Sequence, residues 1–413
     1  MDNRLYWIWM QQALGQGSPK AGPLLRELET PARIYEADDR FYRDIGLAET
    51  ERVALNDKSL ETAEKILEQA LSSNGWLVTP DDAVYPEPLR EIYELPLVLY
   101  GRGDLPELQD RPVLAMVGTR KPTLYGRETG RAIARSVAAA GIIVVSGGAV
   151  GIDAACHTGA LEAGGITIAV QGCGLDVNYP QENAAMRSRI LEQGGALLSE
   201  YPAGSPPWPG HFPVRNRILS GLAQGVCVVE APEHSGSLIT ASRAREQGRD
   251  VMAVPGPAGM SPYAGCNRLI QKGAYLVGGG IDVLRQYRDR FGDMLDMDAA
   301  KAVTVPSWKA LQPVRPVKPE RKGRPSPFGA KKAKKRTSVS PVPEPQAQLA
   351  GVSQEARQLY DLLEQTPRSV DWLAEKAGIT AARALAALTE LEIAGAVRGY
   401  AGHQYGRLPA DDK

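Results

Sequence analysis

From Val113 onward the chain repeats one unit, a short apolar run followed by a helical stretch that closes on glycine. The runs are "VLAMVG", "GIIVVS", "ITIAV", "ALLSE", "VCVVEA" and "DVMAVPG". Between them lie "GRETGRAIARSVAAAG", "GIDAACHTGALEAGG", "ENAAMRSRILEQGG", "FPVRNRILSGLAQG" and "SLITASRAREQG". A strand that returns through a helix must pair parallel with its predecessor, because an antiparallel neighbour needs only a tight turn. The runs are apolar throughout rather than alternating, as strands covered on both faces are. The pattern therefore predicts a doubly wound parallel α/β sheet.

The flanks differ in composition. Residues 1–75 contain leucines and alanines at helical spacing, as in "GPLLRELETPARIYEA" and "SLETAEKILEQALSSNG", and are expected to form a helical domain ending at Gly75. Residues 76–112 mix short apolar runs with prolines, suggest strands and turns, and belong with the α/β domain, assigned 76–295. Residues 296–350 are rich in proline and lysine and are expected to be a disordered linker. Residues 351–413 read as three helices, a glycine turn and two short strands, a winged helix with Thr380 capping the second helix of its motif.

At 413 residues the chain has room for several cores. It has no run of about 18 apolar residues, so no membrane span is expected. "MDNRLYWIWMQQALG" lacks the features of a signal peptide, which places the protein in the cytoplasm. The four cysteines (Cys156, Cys173, Cys227, Cys266) are widely spaced with no CxxC pair. They are expected to be buried free thiols, with neither zinc nor disulfides. The 48 lysines and arginines balance 48 acids, but not evenly: Arg315 to Arg336 holds ten basic residues against one acid, Glu320. That stretch is either a tether for nucleic acid or a solubilising spacer.

An open parallel sheet binds its ligands beyond the carboxyl ends of the strands. "MVGTRKPT" puts Gly118, Thr119, Arg120 and Lys121 there. "VSGGAVGID" puts Ser146, Gly147, Gly148 and Gly151 there, and "EAPEHSGSLIT" puts Ser235, Gly236, Ser237 and Thr240 there. Glycine lets backbone N–H groups approach a phosphate, a helix N-terminus adds partial positive charge, and hydroxyls add donors. "FPVRNR" brings Phe212, Arg215, Asn216 and Arg217 to the same edge, as ligand contacts or as solvated surface. The dipeptide Gly-Lys is absent, which excludes a Walker A loop, and "SGGAVG" lacks the GxGxxG spacing. His157 reads as a packing residue and Asp153 as a brace for its helix. Glu230 either acts on a nucleotide or binds backbone N–H groups. No nucleophile–base pair is evident, so neither catalysis, cofactor nor metal is expected. Several phosphate sites beside Phe212, Tyr179 and Tyr201 suit a single-stranded nucleic acid, whose bases stack on aromatic rings.

"VGTRKPTLYG", "VVSGGAVGIDAACHTGAL", "FPVRNRILSGL", "VVEAPEHSGSLITASRAREQGR", "VMAVPG" and "GCNRLIQKGA" together resemble the DNA-processing protein A family (DprA, also called Smf) over about residues 76–290. The resemblance implies an extended Rossmann-like core between an N-terminal domain similar to a sterile-alpha-motif or helix-hairpin-helix unit and a C-terminal winged helix. It further implies a homodimer that binds single-stranded DNA without catalysis and loads a RecA-type recombinase onto it during natural transformation. Arg120, Arg215, Asn216 and Arg217 would contact DNA, Phe212 would stack, and the glycine and serine loops would cradle phosphates. Val150 stands where some relatives carry a cation, a loss that either lowers affinity or is made up by Lys121 or Arg243.

Two other readings bear on function. Phosphoribohydrolases that resemble lysine decarboxylases share such loops but need an acid on the helix where Thr240 and Ala241 stand. A duplex reader would need cations on its recognition helix, yet residues 351–413 hold seven basic and nine acidic residues, and that helix has only Arg383. The winged helix is therefore expected to serve protein contact or an accessory role.

Overall fold

The computed structural model describes residues 2–72, 75–305, 353–363, 368–393, 396–400 and 404–407. The chain divides into two compact units, residues 1–316 and 317–413. The first begins with six helices, α1 (Arg4–Leu14), α2 (Ala21–Leu28), α3 (Pro31–Glu36), α4 (Asp39–Asp44), α5 (Glu49–Asn56) and α6 (Glu61–Ser72). Next come β1 (Trp76–Val78), α7 (Glu87–Arg90), β2 (Leu99–Gly103), β3 (Val113–Val117), α8 (Leu124–Ala139), β4 (Ile143–Ser146), α9 (Ile152–Glu162) and β5 (Thr167–Gln171). The unit continues with α10 (Ala184–Glu192), β6 (Ala196–Ser199), α11 (His211–Leu222), β7 (Gly225–Val228), α12 (Ser237–Glu246) and β8 (Asp250–Ala253). It closes with α13 (Ala264–Gln271), β9 (Tyr275–Leu276), α14 (Gly280–Phe291) and α15 (Met297–Lys301).

The nine strands form one sheet in the order β1-β2-β6-β5-β4-β3-β7-β8-β9. From β6 to β9 every pairing is parallel, as the alternating pattern predicts. β3 is where the winding reverses. β4, β5 and β6 follow on one side of it and β7, β8 and β9 on the other. Successive side chains of a strand point to opposite faces, and β3 shows the result. Val113, Ala115 and Val117 enter a core with Ile218, Leu219 and Leu222 of α11 and Ala241 and Ala244 of α12. Leu114 and Met116 enter the other, with Ile133 and Val137 of α8, Cys156 of α9 and Leu284 of α14.

Three features depart from the sequence reading. β2 runs antiparallel to β6 and to β1, so the sheet is mixed at that edge. "GPLLRELETPARIYEA" is two helices: Glu29 takes φ 66° and Thr30 caps α3, accepting from the Arg33 N–H at 3.3 Å. The linker also begins later than residue 296. α15 packs on α8, with Ala300 fully buried and its carbonyl accepting from Ser136 Oγ at 2.9 Å. The basic stretch Arg315–Arg336 lies outside the described residues.

The aromatic N-terminus is core. Trp7, Ile8, Trp9 and Met10 are buried with Leu24, Ile34 and Tyr42, and the same cluster takes in Leu77 of β1 and Tyr100 of β2. The four cysteines are free and buried. No described helix is long and apolar enough to cross a membrane.

The second unit holds α16 (Gln354–Leu362), β10 (Arg368–Ser369), α17 (Val370–Ala377), α18 (Ala381–Ile393), β11 (Val397–Tyr400) and β12 (Gln404–Arg407). The strands pair antiparallel in the order β10-β12-β11, giving the winged helix expected. Gly378 ends α17 in the left-handed conformation, and Thr380 Oγ1 accepts from the Arg383 N–H at 3.4 Å at the start of α18. Arg383, the one cation foreseen on the recognition helix, is ion-paired with Glu355 of α16 and remains largely exposed.

Candidate nucleic-acid interface

A cleft of about 590 Å³ opens at the strand ends beside β3. It lies where the winding reverses, the place at which doubly wound sheets leave a crevice. Three chain segments form it. The turn after β3 supplies Gly118, Thr119, Arg120 and Lys121; the first turns of α11 supply Phe212, Arg215 and Asn216; the turn into α12 supplies Ser235, Gly236, Ser237 and Thr240. Sequence reasoning named all of these, and the fold brings them together.

The side chains do different things. Arg120 and Lys121 are exposed and form no ion pair among the described residues. The Arg120 guanidinium lies 4.8 Å from the centre of the Phe212 ring, and Tyr179 approaches that ring at 5.9 Å. Ser235 and Ser237 hydroxyls hydrogen-bond each other at 2.7 Å at the N-terminus of α12. Asn216 Nδ2 donates to the Gly236 carbonyl at 3.4 Å and so ties α11 to that turn.

Arg215 is a strut. Its guanidinium donates to the Gly147 carbonyl at 2.8 Å and to the Val170 carbonyl, joining α11 to the ends of β4 and β5. Only 4% of its surface is exposed. Burial lowers its pKa, opposed by the Asp153 charge and reinforced by Arg120. Burial likewise pushes the Asp153 carboxyl up, against the pull of Arg215 and Arg120. Asp153 lines the cleft floor and also accepts weakly from the Ala149 N–H, the bracing role expected of it.

Five expected residues stand outside the cleft lining. Ser146 is fully buried and donates to the Met116 carbonyl at 2.6 Å. Gly147 and Gly148 are buried, and a Cβ on Gly147 would stand 2.5 Å from Asp153 Oδ2 and 2.7 Å from an Arg215 nitrogen. Gly151 takes φ 89°, and its Cβ would meet the Thr119 carbonyl at 2.5 Å, so this glycine lets the two loops touch. Gly147 and Gly151 thus serve close packing beneath the cleft, while Gly148 takes a left-handed φ of 66°.

The fifth, Arg217, is 1% exposed and makes a bidentate pair with buried Glu200 at 2.8 and 2.6 Å, while its Nε donates to the Glu94 carbonyl at 2.7 Å. It faces a separate groove of about 850 Å³ along α2 and α12. Arg243 lies on that groove too, paired with Glu94 at 3.3 Å and Glu246 at 3.2 Å. It therefore cannot make up for Val150 in the cleft, where Lys121 is the remaining cation besides Arg120.

Glu230 is fully buried, accepting from the Thr123 N–H at 2.9 Å and the Thr123 hydroxyl at 2.6 Å. Thr123 also meets the Tyr263 hydroxyl at 2.7 Å. The carboxylate anchors the turn that carries Arg120 and Lys121. His157 is buried as expected, with Nδ1 2.8 Å from Thr167 Oγ1. Tyr201 is buried and stacks on His211 rather than lining the cleft. No cluster of three or more metal-binding side chains occurs among the described residues.

The sequence reading missed the prolines. Pro207 and Pro209 form one wall and Ile239 another. The signal was present in "GSPPWPG", where rigid residues precede a helix that opens on a ligand face.

Fold and cleft define a doubly wound α/β protein with a cationic, aromatic-lined crevice at its switch point, joined to a winged helix. The model of the DNA recombination-mediator protein A family matches residues 76–288, and that of the DprA winged helix domain matches residues 343–403. The chain belongs to the DNA recombination-mediator protein A family. It is 38% identical over 286 residues to protein Smf of Synechocystis sp., covering 67% of this chain and 70% of that one. To the DNA processing protein DprA of Streptococcus pneumoniae it is 45% identical over 206 residues, covering 50% of this chain and 72% of that one. The X-ray structure of the latter superposes with a TM-score of 0.59 at 35% identity, covering 69% of this chain and 98% of that one.

Proposed function

We propose that the cleft holds single-stranded DNA and that the protein, as a homodimer in the cytoplasm, passes that DNA to a RecA-type recombinase during transformation. The observation that carries the reading is the pairing of unneutralised cations with an aromatic face. Arg120 and Lys121 are exposed at the rim without an ion pair among the described residues, Arg120 lying against the Phe212 ring, and Phe212 with Tyr179 offers rings for a base. The N-terminus of α12, with its serine hydroxyls, adds donors for a second phosphate. Family membership agrees with a role in recombination.

In this reading the protein binds without catalysis. The one strand-end carboxylate positioned for a hydrolytic role, Glu230, has both oxygens occupied by Thr123. The winged helix serves protein contact or an accessory role, since residues 351–413 hold seven basic and nine acidic residues and its recognition helix offers only Arg383. Tight duplex binding by residues 351–413 at physiological salt would overturn that assignment.

The test is a titration of fluorescent oligo(dT) against a duplex competitor. Wild type is expected to prefer the single strand, and Phe212→Ala to weaken binding by about 1–3 kcal/mol. Indifference of wild type to the oligonucleotide would sink the reading.

A further inference from the structure

Trp208 is 64% exposed, the one exposed tryptophan among the described residues. Burying such a ring removes some 150–250 Å² from water, so leaving it exposed beside a binding cleft calls for a ligand. Its neighbours Pro207 and Pro209 both line the cleft, whereas Trp208 is not part of the lining.

The backbone that carries the ring is held in a turn. The Trp208 N–H donates to the Pro206 carbonyl at 2.9 Å, and the Trp208 carbonyl accepts from the His211 N–H at 3.0 Å. The indole lies near-parallel to the His211 imidazole, with centres 6.0 Å apart and planes at 24°. His211 in turn stacks on buried Tyr201 at 3.9 Å and 19°. His211 Nδ1 lies 3.1 Å from the Gly172 carbonyl, which can only accept, so Nδ1 carries the hydrogen and the imidazole is oriented. The Tyr201 hydroxyl donates to the His211 carbonyl at 3.4 Å. Tyr201, His211 and Trp208 thus form a stack rooted in the core, whose outermost member faces solvent.

The next residue after His211 is Phe212, whose ring lies against Arg120 inside the cleft. We infer that Trp208 is a second base-stacking platform, which takes a nucleobase of the same single strand where it leaves the cleft over the Pro207–Pro209 wall. The inference rests on the single-stranded DNA reading and extends it outward. A pre-ordered ring loses little conformational freedom on binding. A neutral indole face accepts any base, and it sits beside cations that hold the backbone.

The experiment compares wild type, Trp208→Ala and Trp208→Phe with oligo(dT) of increasing length across a salt series, using circular dichroism to confirm folding. Loss of one stacked base is expected to weaken binding of long oligonucleotides roughly 5- to 150-fold. The salt slope should not change, because stacking releases no counterions. The phenylalanine variant should recover most of the affinity, and the deficit should vanish for oligonucleotides too short to leave the cleft. Equal affinity of Trp208→Ala and wild type at every length would overturn the platform while leaving the cleft reading intact, and would point to a protein partner for this ring. A deficit accompanied by a flattened salt slope would also overturn it. Failure of wild type to bind any length would remove both readings.

Discussion

Arg215, Asn216 and Arg217 are consecutive, yet each meets a different part of the protein. Residues on a helix are spaced by about 100°, so three in a row cannot share a face. Arg215 points to the ends of β4 and β5, Asn216 to the turn before α12, and Arg217 to Glu200 and Glu94. The two arginines should therefore fail in ways unlike a phosphate ligand. Arg120→Ala is expected to leave the melting temperature unchanged and to flatten the logarithmic salt dependence of single-strand binding by about 0.7. Arg215→Ala should weaken binding and lower the melting temperature with the salt slope intact, because it removes a support and no phosphate contact. A flattened slope for Arg215→Ala would return it to the DNA. Arg217→Ala strands the buried Glu200 carboxylate, which should cost about 3–5 kcal/mol in urea unfolding.

At the scale of elements, α9 and β5 are clamped by a histidine that cannot charge. Thr167 Oγ1 donates its only hydrogen to the Val144 carbonyl at 2.7 Å, so it accepts from His157 Nδ1–H. The other ring nitrogen is buried with no partner, and a proton there would find no acceptor. Burial first, and the nearby Arg215 charge second, depress the pKa to about 3. The unfolded chain binds a proton at about 6.5 that the fold refuses. The contribution of this residue is thus complete above pH 6.5 and is lost as pH falls from there towards 3, by about 1.4 kcal/mol per unit. His157→Gln should flatten the acid limb of a stability–pH curve between those limits. An unchanged limb would count against the clamp.

The same elements show what was legible in the sequence. β3 to β8 announced themselves as apolar runs, because strands covered on both faces have no polar side to interrupt them. The loops that line the cleft were legible for a related reason: a doubly wound sheet presents its ligand edge at predictable chain positions. The edge segments β1 and β2 were legible as strands and turns but not in their antiparallel pairing, since short, proline-flanked runs carry no sign of which neighbour they will meet. Nor was the placing of Arg217, because its buried partner Glu200 lies beyond a proline-rich loop that periodicity cannot fold. Ser146 and the glycines after β4 looked like a phosphate cradle; only the packed structure shows Arg215 and Asp153 against Gly147, the Thr119 carbonyl against Gly151, and Ser146 turned to the Met116 carbonyl.

For the whole molecule, the two ends of the sheet matter most. At one end β1 is covered: Leu77 and Val78 are buried and Leu77 shares the core of the N-terminal helices. At the other, Tyr275 and Leu276 of β9 are 45% and 54% exposed. An edge strand with apolar side chains that no described strand covers invites another strand. The homodimer proposed above would form there, and Leu276→Asp should shift the mass measured by light scattering from two copies to one. Retention of the larger mass would place the seam elsewhere. With one end stoppered and the other open, the sheet behaves as a chemist's monofunctional reagent. If the proposed seam lies at β9, a pair formed there would leave only the covered β1 edges outward, so growth would halt at two copies rather than propagate into a fibre.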